Sequence, residues 1–386
     1  MLKNKNKGIT LIALVITIII LLILAGISIS ALTNQGLFKN AKIAQNATEK
    51  AEKEQGQRLN EYEDEINKYL GNSKDETKGT TVEEAIKKNG ALSTTDNTEL
   101  KDAKNNKIVV PAGFKIVEGA TTVDKGIVIE DVTETATKGS QFVWIPVGKI
   151  TKADGTTTPI TLGRYNFNDT TGVESAYSGS YVEEDANDAS TLKKWGNTIA
   201  KNITNFKKSV AQNGGYYIGR YEARTATARS AETDALTQIT EKGTENVYNY
   251  VKQPQAAQLS QNMYNSDKFT SDLMNSYAWD TAIVFIQNCG TNAKYSRQNS
   301  LNTALLQTGT NSLTDTNKID VQCNIYDMAS NIFEWTTETY NNSRYPCVSR
   351  GGNYDVSSFY TSDRSANNTS NSNGDIGFRP LLYVNV

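Results

Sequence analysis

No histidine occurs among the 386 residues. Imidazole general bases and metal sites built on imidazole are therefore excluded for the whole chain. A basic excess is missing as well: 40 Lys and Arg stand against 42 Asp and Glu, a net charge of −2. Nucleic-acid binding normally needs a clear positive balance, so no nucleic-acid partner is expected. Cysteine is scarce. Cys289, Cys323 and Cys347 fall at spacings that fit neither a zinc site nor a CxxC redox motif. In an oxidising compartment two of them would pair, Cys323–Cys347 being the expected bond; three buried thiols is the alternative. What the chain does have in quantity is Asn, Thr, Ser and Tyr, a mix common on secreted binding surfaces.

Charge is also absent from residues 9–32, which read ITLIALVITIIILLILAGISISAL. At 1.5 Å per residue, ~24 helical residues span ~36 Å, more than a bilayer core of ~30 Å. A membrane-spanning helix is the expected reading, with membrane lipid as its surroundings. Lys3, Lys5 and Lys7 precede it and favour a cytoplasmic leader. Lys39 and Lys42 on the far side weaken that asymmetry. Cleavage after the apolar run, near Ala25 or Ala31, is the ordinary-signal alternative.

The short Lys-rich leader, Gly8 and the run ITLIALVI resemble the prepilin signal of type IV pilins. The resemblance implies a prepilin peptidase as partner, cleavage between Gly8 and Ile9, methylation of Ile9 and other pilin-like subunits as neighbours. In that family the fifth mature residue is usually Glu; here it is Ala13. That carboxylate would neutralise a neighbouring subunit's terminal ammonium, so its absence fits a minor subunit or a membrane protein outside the fibre better than a bulk pilin. Residues 33–72 continue as a charged, helix-prone stalk. Ile43, Ala47, Ala51, Leu59, Tyr62, Ile66 and Leu70 form a thin stripe, weakened at Gly56. Residues 73–106 read as a polar linker in which Thr81 and Glu84 form a capping box before VEEAIKK.

From residue 107 to 386 short apolar runs alternate with turns: KIVVPAGFKIV, KGIVIEDV, SQFVWIPVGKI and GGYYIGRYEA read as strands. Helices are expected near 192–209 and 276–287. The pattern is α+β with long loops. Six motifs in order resemble the sulfatase-modifying-factor family, the domain of formylglycine-generating enzymes, which has a C-type-lectin-like core. They are Phe142-Val143-Trp144-Ile145-Pro146, Gly215-Tyr216-Tyr217-Ile218-Gly219-Arg220-Tyr221-Glu222, Ser276-Tyr277-Ala278-Trp279-Asp280, the run NIYDMASNIFEWT at 324–336, Arg350-Gly351-Gly352-Asn353-Tyr354 and Gly377-Phe378-Arg379-Pro380. Beside the resemblance, Trp144, Trp279 and Trp335 supply apolar area to a loop-rich core. Gly351 and Gly352 allow close backbone approach or positive φ. Arg350, Arg379 and Glu334 are candidates for internal ion pairs.

The resemblance implies a structural calcium ion at Asp327, Ser330, Ile332 and Glu334, through two side chains and two carbonyls; hard oxygen donors suit Ca²⁺. The alternative is a solvated turn with Glu334 in a salt bridge. It also implies where copper-binding cysteines would stand in the oxygen-dependent enzymes: on Val356 and Thr361, neither of which offers a thiolate. No copper, no catalytic residue and no enzyme activity are therefore expected. Lectin-like folds present ligands from loops near the C-terminus, which selects Asn353, Tyr354, Ser357, Ser358, Phe359, Tyr360 and Asp363 as candidate contacts. The expectation is a pilin-like, membrane-anchored surface protein, a minor pilin or adhesin whose head binds an extracellular ligand. The alternatives are an enzyme with altered chemistry or a pseudopilin of a secretion or DNA-uptake system.

Overall fold

The computed structural model describes residues 81–186, 193–308 and 320–386, together with Leu21. The chain divides into two compact units, Met1–Thr77 and Lys78–Val386. The expected leader, apolar helix and stalk fall outside the described residues except for Leu21. Among the described residues no helix is long and apolar enough to cross a membrane.

The second unit opens with the capping box expected from sequence. Thr81 Oγ1 accepts from Glu84 N at 3.2 Å, and Glu84 Oε2 accepts from Thr81 N at 3.0 Å. Helix α1 (Val82–Lys88) follows and buries Val82 and Ala85; Asn89 ends it in the left-handed region. Strand β1 (Thr98–Lys101) pairs antiparallel with β2 (Lys107–Val110). The turn between them closes on the Asp102 carboxylate, which accepts from the amides of Lys104, Asn106 and Val123, each at 2.8 Å. The segment expected as linker is thus folded from Thr81 onward. Its apolar residues Val82, Ala85 and Leu100 enter the core, but they are too sparse in sequence to mark it as part of a domain.

The remaining strands are short. After β3 (Phe114–Ile116), β4 (Val128–Asp131) and β5 (Gln141–Pro146) come the hairpins β6 (Gly148–Thr151) with β7 (Thr157–Ile160) and β8 (Tyr165–Phe167) with β9 (Glu174–Ala176), and then β10 (Tyr181–Val182). Helix α2 (Ile203–Asn213) precedes β11 (Gly215–Gly219), β12 (Arg224–Thr225) and β13 (Asn246–Val247). Helix α3 (Gln253–Gln261), β14 (Phe269–Leu273) and helix α4 (Ser276–Cys289) follow. The last third holds β15 (Val321–Gln322), β16 (Ile325–Tyr326), β17 (Phe333–Tyr340), β18 (Cys347–Arg350), β19 (Arg364–Asn367), β20 (Ile376–Phe378) and β21 (Pro380–Val384).

Two sheets organise the unit. The first runs β14-β21-β11-β5-β4-β3, antiparallel throughout. Its C-terminal strand β21 lies between β14 and β11, so the end of the chain is a central part of the sheet. The second runs β10-β17-β18-β19, with β20 parallel to β17. The strands read from sequence appear in the first sheet or in β2, except that the end of SQFVWIPVGKI enters β6. Trp144 on β5 stands opposite Tyr217 on β11, their rings edge to face at 4.9 Å. Helix α4 covers this sheet, with Tyr216 donating to the Ala278 carbonyl at 2.7 Å.

Helix α2 starts later than the sequence pattern suggests. Asn202 caps it by accepting from Asn205 N at 2.7 Å, and the Asp185 carboxylate takes the amides of Ile203 and Thr204. The preceding residues cannot join it because Gly196 sits at φ +88° and 193–200 form turns and bridges. Gly214 ends the helix at φ +75°.

One glycine fixes how the β15–β16 turn docks. Gly126 has φ +77°, and a Cβ there would lie 1.8 Å from the Cys323 carbonyl oxygen. Gly126→Ala is expected to lower unfolding free energy by about 2–4 kcal/mol in chemical denaturation. Gly90→Ala, whose nearest neighbour would be 3.9 Å away, is the control and should stay within about 0.5 kcal/mol.

Candidate functional site

A buried ion network ties α4 to the second sheet. Asp280 of α4 receives Arg350 Nη2 at 2.6 Å and Arg364 Nη2 at 2.5 Å. Glu338 of β17 receives Arg350 Nη1 at 3.3 Å, Arg364 Nε at 2.9 Å and the Arg164 guanidinium. Asp280, Glu338 and Arg350 are all at 0 % side-chain exposure, which makes the pairing obligatory rather than decorative. Burial alone would raise the Asp280 carboxyl, but the two guanidiniums outweigh it and hold it below the usual carboxylate range. Further hydrogen bonds complete the geometry: Tyr165 N donates to Asp280 Oδ2 at 2.8 Å, and Arg350 Nε donates to the Asp363 carbonyl at 2.9 Å.

This network supports an aromatic and cationic groove. The Tyr177 ring lies under two guanidiniums, Arg364 at 4.3 Å and Arg164 at 4.5 Å. Arg297 stands over the Tyr360 ring at 3.8 Å. Around them a groove of ≈ 310 Å³ is lined by Phe167, Tyr177, Tyr181, Arg297, Asp363 and Arg364, among others. Two larger cavities lie elsewhere. One of ≈ 640 Å³ runs along Thr133, Thr137 and Tyr264, and one of ≈ 610 Å³ lies beside Lys201 and Val386. The smaller groove is the better candidate, because its walls rest directly on the buried network and include one of the sequence-selected residues.

The seven selected ligand residues separate into three groups. Asn353 is buried; its Nδ2 donates to Asp375 Oδ2 at 2.7 Å and its Oδ1 accepts from Val356 N at 2.8 Å. It holds its own loop and is not available to a ligand. Ser357 and Ser358 are exposed, while Tyr354, Phe359, Tyr360 and Asp363 are half-buried. Phe359 packs edge to face on Phe333 at 4.9 Å, and Asp363 Oδ2 accepts from Tyr360 N at 3.0 Å. Only Asp363 of the seven lines the groove itself. The groove's other walls come from the β8–β9 hairpin, the segment from Tyr177 to Tyr181, Arg297 and Arg364, where sequence reasoning found no signal beyond scattered Tyr and Arg.

Of the four residues in the calcium reading, Glu334 is ion-paired with Arg379. Both Glu334 oxygens are taken by Arg379, Oε2 from Nε at 3.0 Å and Oε1 from Nη2 at 2.6 Å. The Ser330 hydroxyl accepts from Leu301 N, and the Ile332 amide donates to Glu222 Oε1. Among the described residues no group of three or more Cys, Asp or Glu is placed to hold a metal ion. Glu334 thus forms the salt bridge that the alternative names, in a buried rather than a solvated setting. Asp327 sits nearby at φ +61° with Oδ1 buried and unpartnered. Burial, with the Asp320 charge adding to it, pushes Asp327 up to about 7. Asn331, passed over in the sequence, is the hub here: its amide donates to Glu222 Oε2 at 2.6 Å and its carbonyl accepts from Leu306 N at 2.8 Å.

The expected Cys323–Cys347 bond is not formed, and all three cysteines are free thiols. Cys347 is buried on β18 opposite Thr339 and Asn367, whereas Cys323 lies in the β15–β16 turn. Burial pushes the Cys289 and Cys347 thiols up to about 12, the opposite of what a nucleophile or metal thiolate needs. At the two copper positions, Thr361 donates its hydroxyl to the Tyr295 carbonyl at 2.8 Å, and the Val356 side chain is exposed.

Residues 204–382 match the family described as sulfatase-modifying factor enzyme 1-like domain. This part of the chain carries that domain, a C-type-lectin-like fold of mixed helix and sheet. No curated protein matches the chain. Among solved structures, Treponema denticola variable protein 1 is 13% identical over 64% of this chain and 98% of that one, with a TM-score of 0.32. The crystal structure of CarF is 18% identical over 34% of this chain and 54% of that one, with a TM-score of 0.22.

The raised carboxyls set a pH dependence. Burial raises Asp272 to about 6, against the hydrogen bonds it accepts from Lys201 N, Gln261 and Leu273 N. With Asp327 at about 7, the folded state holds protons that the unfolded chain releases near pH 4. Unfolding free energy should therefore fall as pH rises from about 4 to about 7, and level off above that. Urea denaturation is expected to show about 2–4 kcal/mol less stability at pH 8 than at pH 5; greater stability at pH 8 would contradict it.

Proposed function

We propose that this protein, with a sulfatase-modifying-factor-type domain at residues 204–382, is a non-catalytic recognition protein displayed at the cell surface. Its N-terminal segment, read from sequence as pilin-like, anchors it in a membrane, and its head binds an extracellular ligand. The observation that carries the reading is the groove in which Tyr177 is flanked by Arg164 and Arg364 above a buried ion network. Rigid aromatic rings offer contact area at small entropic cost, and Ser180 and Ser362 in the groove lining add adaptable hydrogen bonding.

Catalysis is disfavoured on chemical grounds. The copper positions of the related enzymes fall on Val356 and Thr361, and the cysteine thiols are protonated at neutral pH. Two of the raised carboxyls, Asp327 and Glu222, are 1 % and 0 % exposed, out of reach of a substrate. A groove whose cations are already paired favours a neutral, hydroxyl-rich or aromatic ligand over a free polyanion, because Arg364 and Arg164 are committed to Glu338.

The test uses the full-length protein purified in detergent. Copper(I), oxygen and a cysteine-containing peptide should give no peptide oxidation; turnover would overturn the non-catalytic reading. On arrays of glycans and extracellular proteins, a hit should weaken at least about tenfold in Tyr177→Ala and Tyr181→Ala, as expected for half-buried aromatic anchors in the groove wall. Mass spectrometry of the membrane-derived chain should find methylated Ile9 at the N-terminus; a chain beginning after Ala31 would remove the anchor from the account.

A further inference from the structure

Helix α4 ends at Cys289, and the residue after it faces the β15–β16 turn. A Cβ built on Gly290 would stand 3.5 Å from Cys323 Sγ and 2.6 Å from Gln322 Oε1. The turn is fixed against the helix end. Gln322 Oε1 accepts from Thr291 N at 2.9 Å and from Thr291 Oγ1 at 3.1 Å. On the other side Asn324 Nδ2 donates to the Gly126 carbonyl at 2.7 Å. Asp124 and Lys125 are charged neighbours of both thiols, and Cys289 is itself an electrostatic neighbour of Cys323. Cys347 shares none of these surroundings. Two thiols from elements far apart in sequence thus occupy one half-buried spot, held there by hydrogen bonds that do not involve either sulfur.

We propose that Cys289 and Cys323 are a disulfide-forming pair, a covalent clamp between the end of α4 and the β15–β16 turn. Each Sγ–H bond is broken and one Sγ–Sγ bond is made. The two electrons and two protons pass to a disulfide oxidant, which is reduced to two thiols. The bond would close a ring from residue 289 to residue 323. That ring carries Arg297, over the Tyr360 ring at 3.8 Å, and Asn299, whose Nδ2 donates to the Ser357 carbonyl at 3.0 Å. The clamp would therefore brace the loop that flanks the groove, although the pairing itself does not depend on the groove's being a binding site. Burial keeps both thiols protonated at neutral pH, so exchange is slow in the folded protein and fast only when the turn opens.

Full-length protein is unfolded and refolded at pH 8.5 with reduced and oxidised glutathione, digested without reduction and mapped by mass spectrometry. The expected product is a Cys289–Cys323 linked peptide in the natural protein and equally in Cys347→Ser. The oxidised form should melt about 5 °C or more above its dithiothreitol-reduced form, as expected for a loop of this length. Cys323→Ser should abolish both the link and the shift. A link to Cys347, stable glutathione adducts on both residues, or free thiols after refolding would each overturn the pairing.

Discussion

Three guanidiniums held by two buried carboxylates organise this head. Arg164, Arg350 and Arg364 converge on Asp280 and Glu338. Placing such charges away from water is costly unless every one is paired. The arrangement meets that requirement by drawing its members from different elements: the segment before β8, helix α4, β17, β18 and β19. None of these segments is long enough to stand alone. Satisfying the charges fixes their mutual positions, and the outer surface they define is the wall of the groove around Tyr177.

A second centre does the same for the first sheet. Arg379 lies just before the C-terminal strand and grips Glu334 with two nitrogens while donating to the carbonyls of Gly219 and Tyr326. It thereby joins β17, β11, β16 and β21 at one buried point. Around it burial raises the carboxyls of Glu222 and Asp327, with the Asp327 charge adding to the first and the Asp320 charge to the second. Close backbone approach completes the joint: a Cβ on Gly351 would fall 2.7 Å from the Met328 carbonyl, and one on Gly352 2.6 Å from the Ala329 carbonyl.

Much of this was legible in the sequence where the signal was local. Strands with dense apolar runs, the Thr81–Glu84 capping box, helix α4 and the close-approach glycines all appear where the residues suggested. The ion pairing of Arg350, Arg379 and Glu334 was also legible, and Arg379 does pair with Glu334, but the distant partners of the other charges were not. Nothing in the spacing of Arg350 pointed to Asp280, 70 residues earlier, and Glu338 carried no motif. The same blindness produced the misplaced cysteine bond and the open calcium reading, since both depend on which distant side chains arrive at one point. Strand β1 was taken for linker because its core residues are few and separated by polar ones. Asn353 looked like a contact residue by composition, yet its hydrogen bonds turn it inward.

The central claim is that the Asp280–Arg350 pair is energetically coupled and holds the groove in shape. A double-mutant cycle in the full-length protein with Asp280→Ala, Arg350→Ala and the double variant, read by chemical denaturation, tests it most directly. The account predicts that the second substitution costs much less once the first is present, with a coupling energy above about 2 kcal/mol. Additive losses, with coupling below about 0.5 kcal/mol, would show that the network is not what holds the head together.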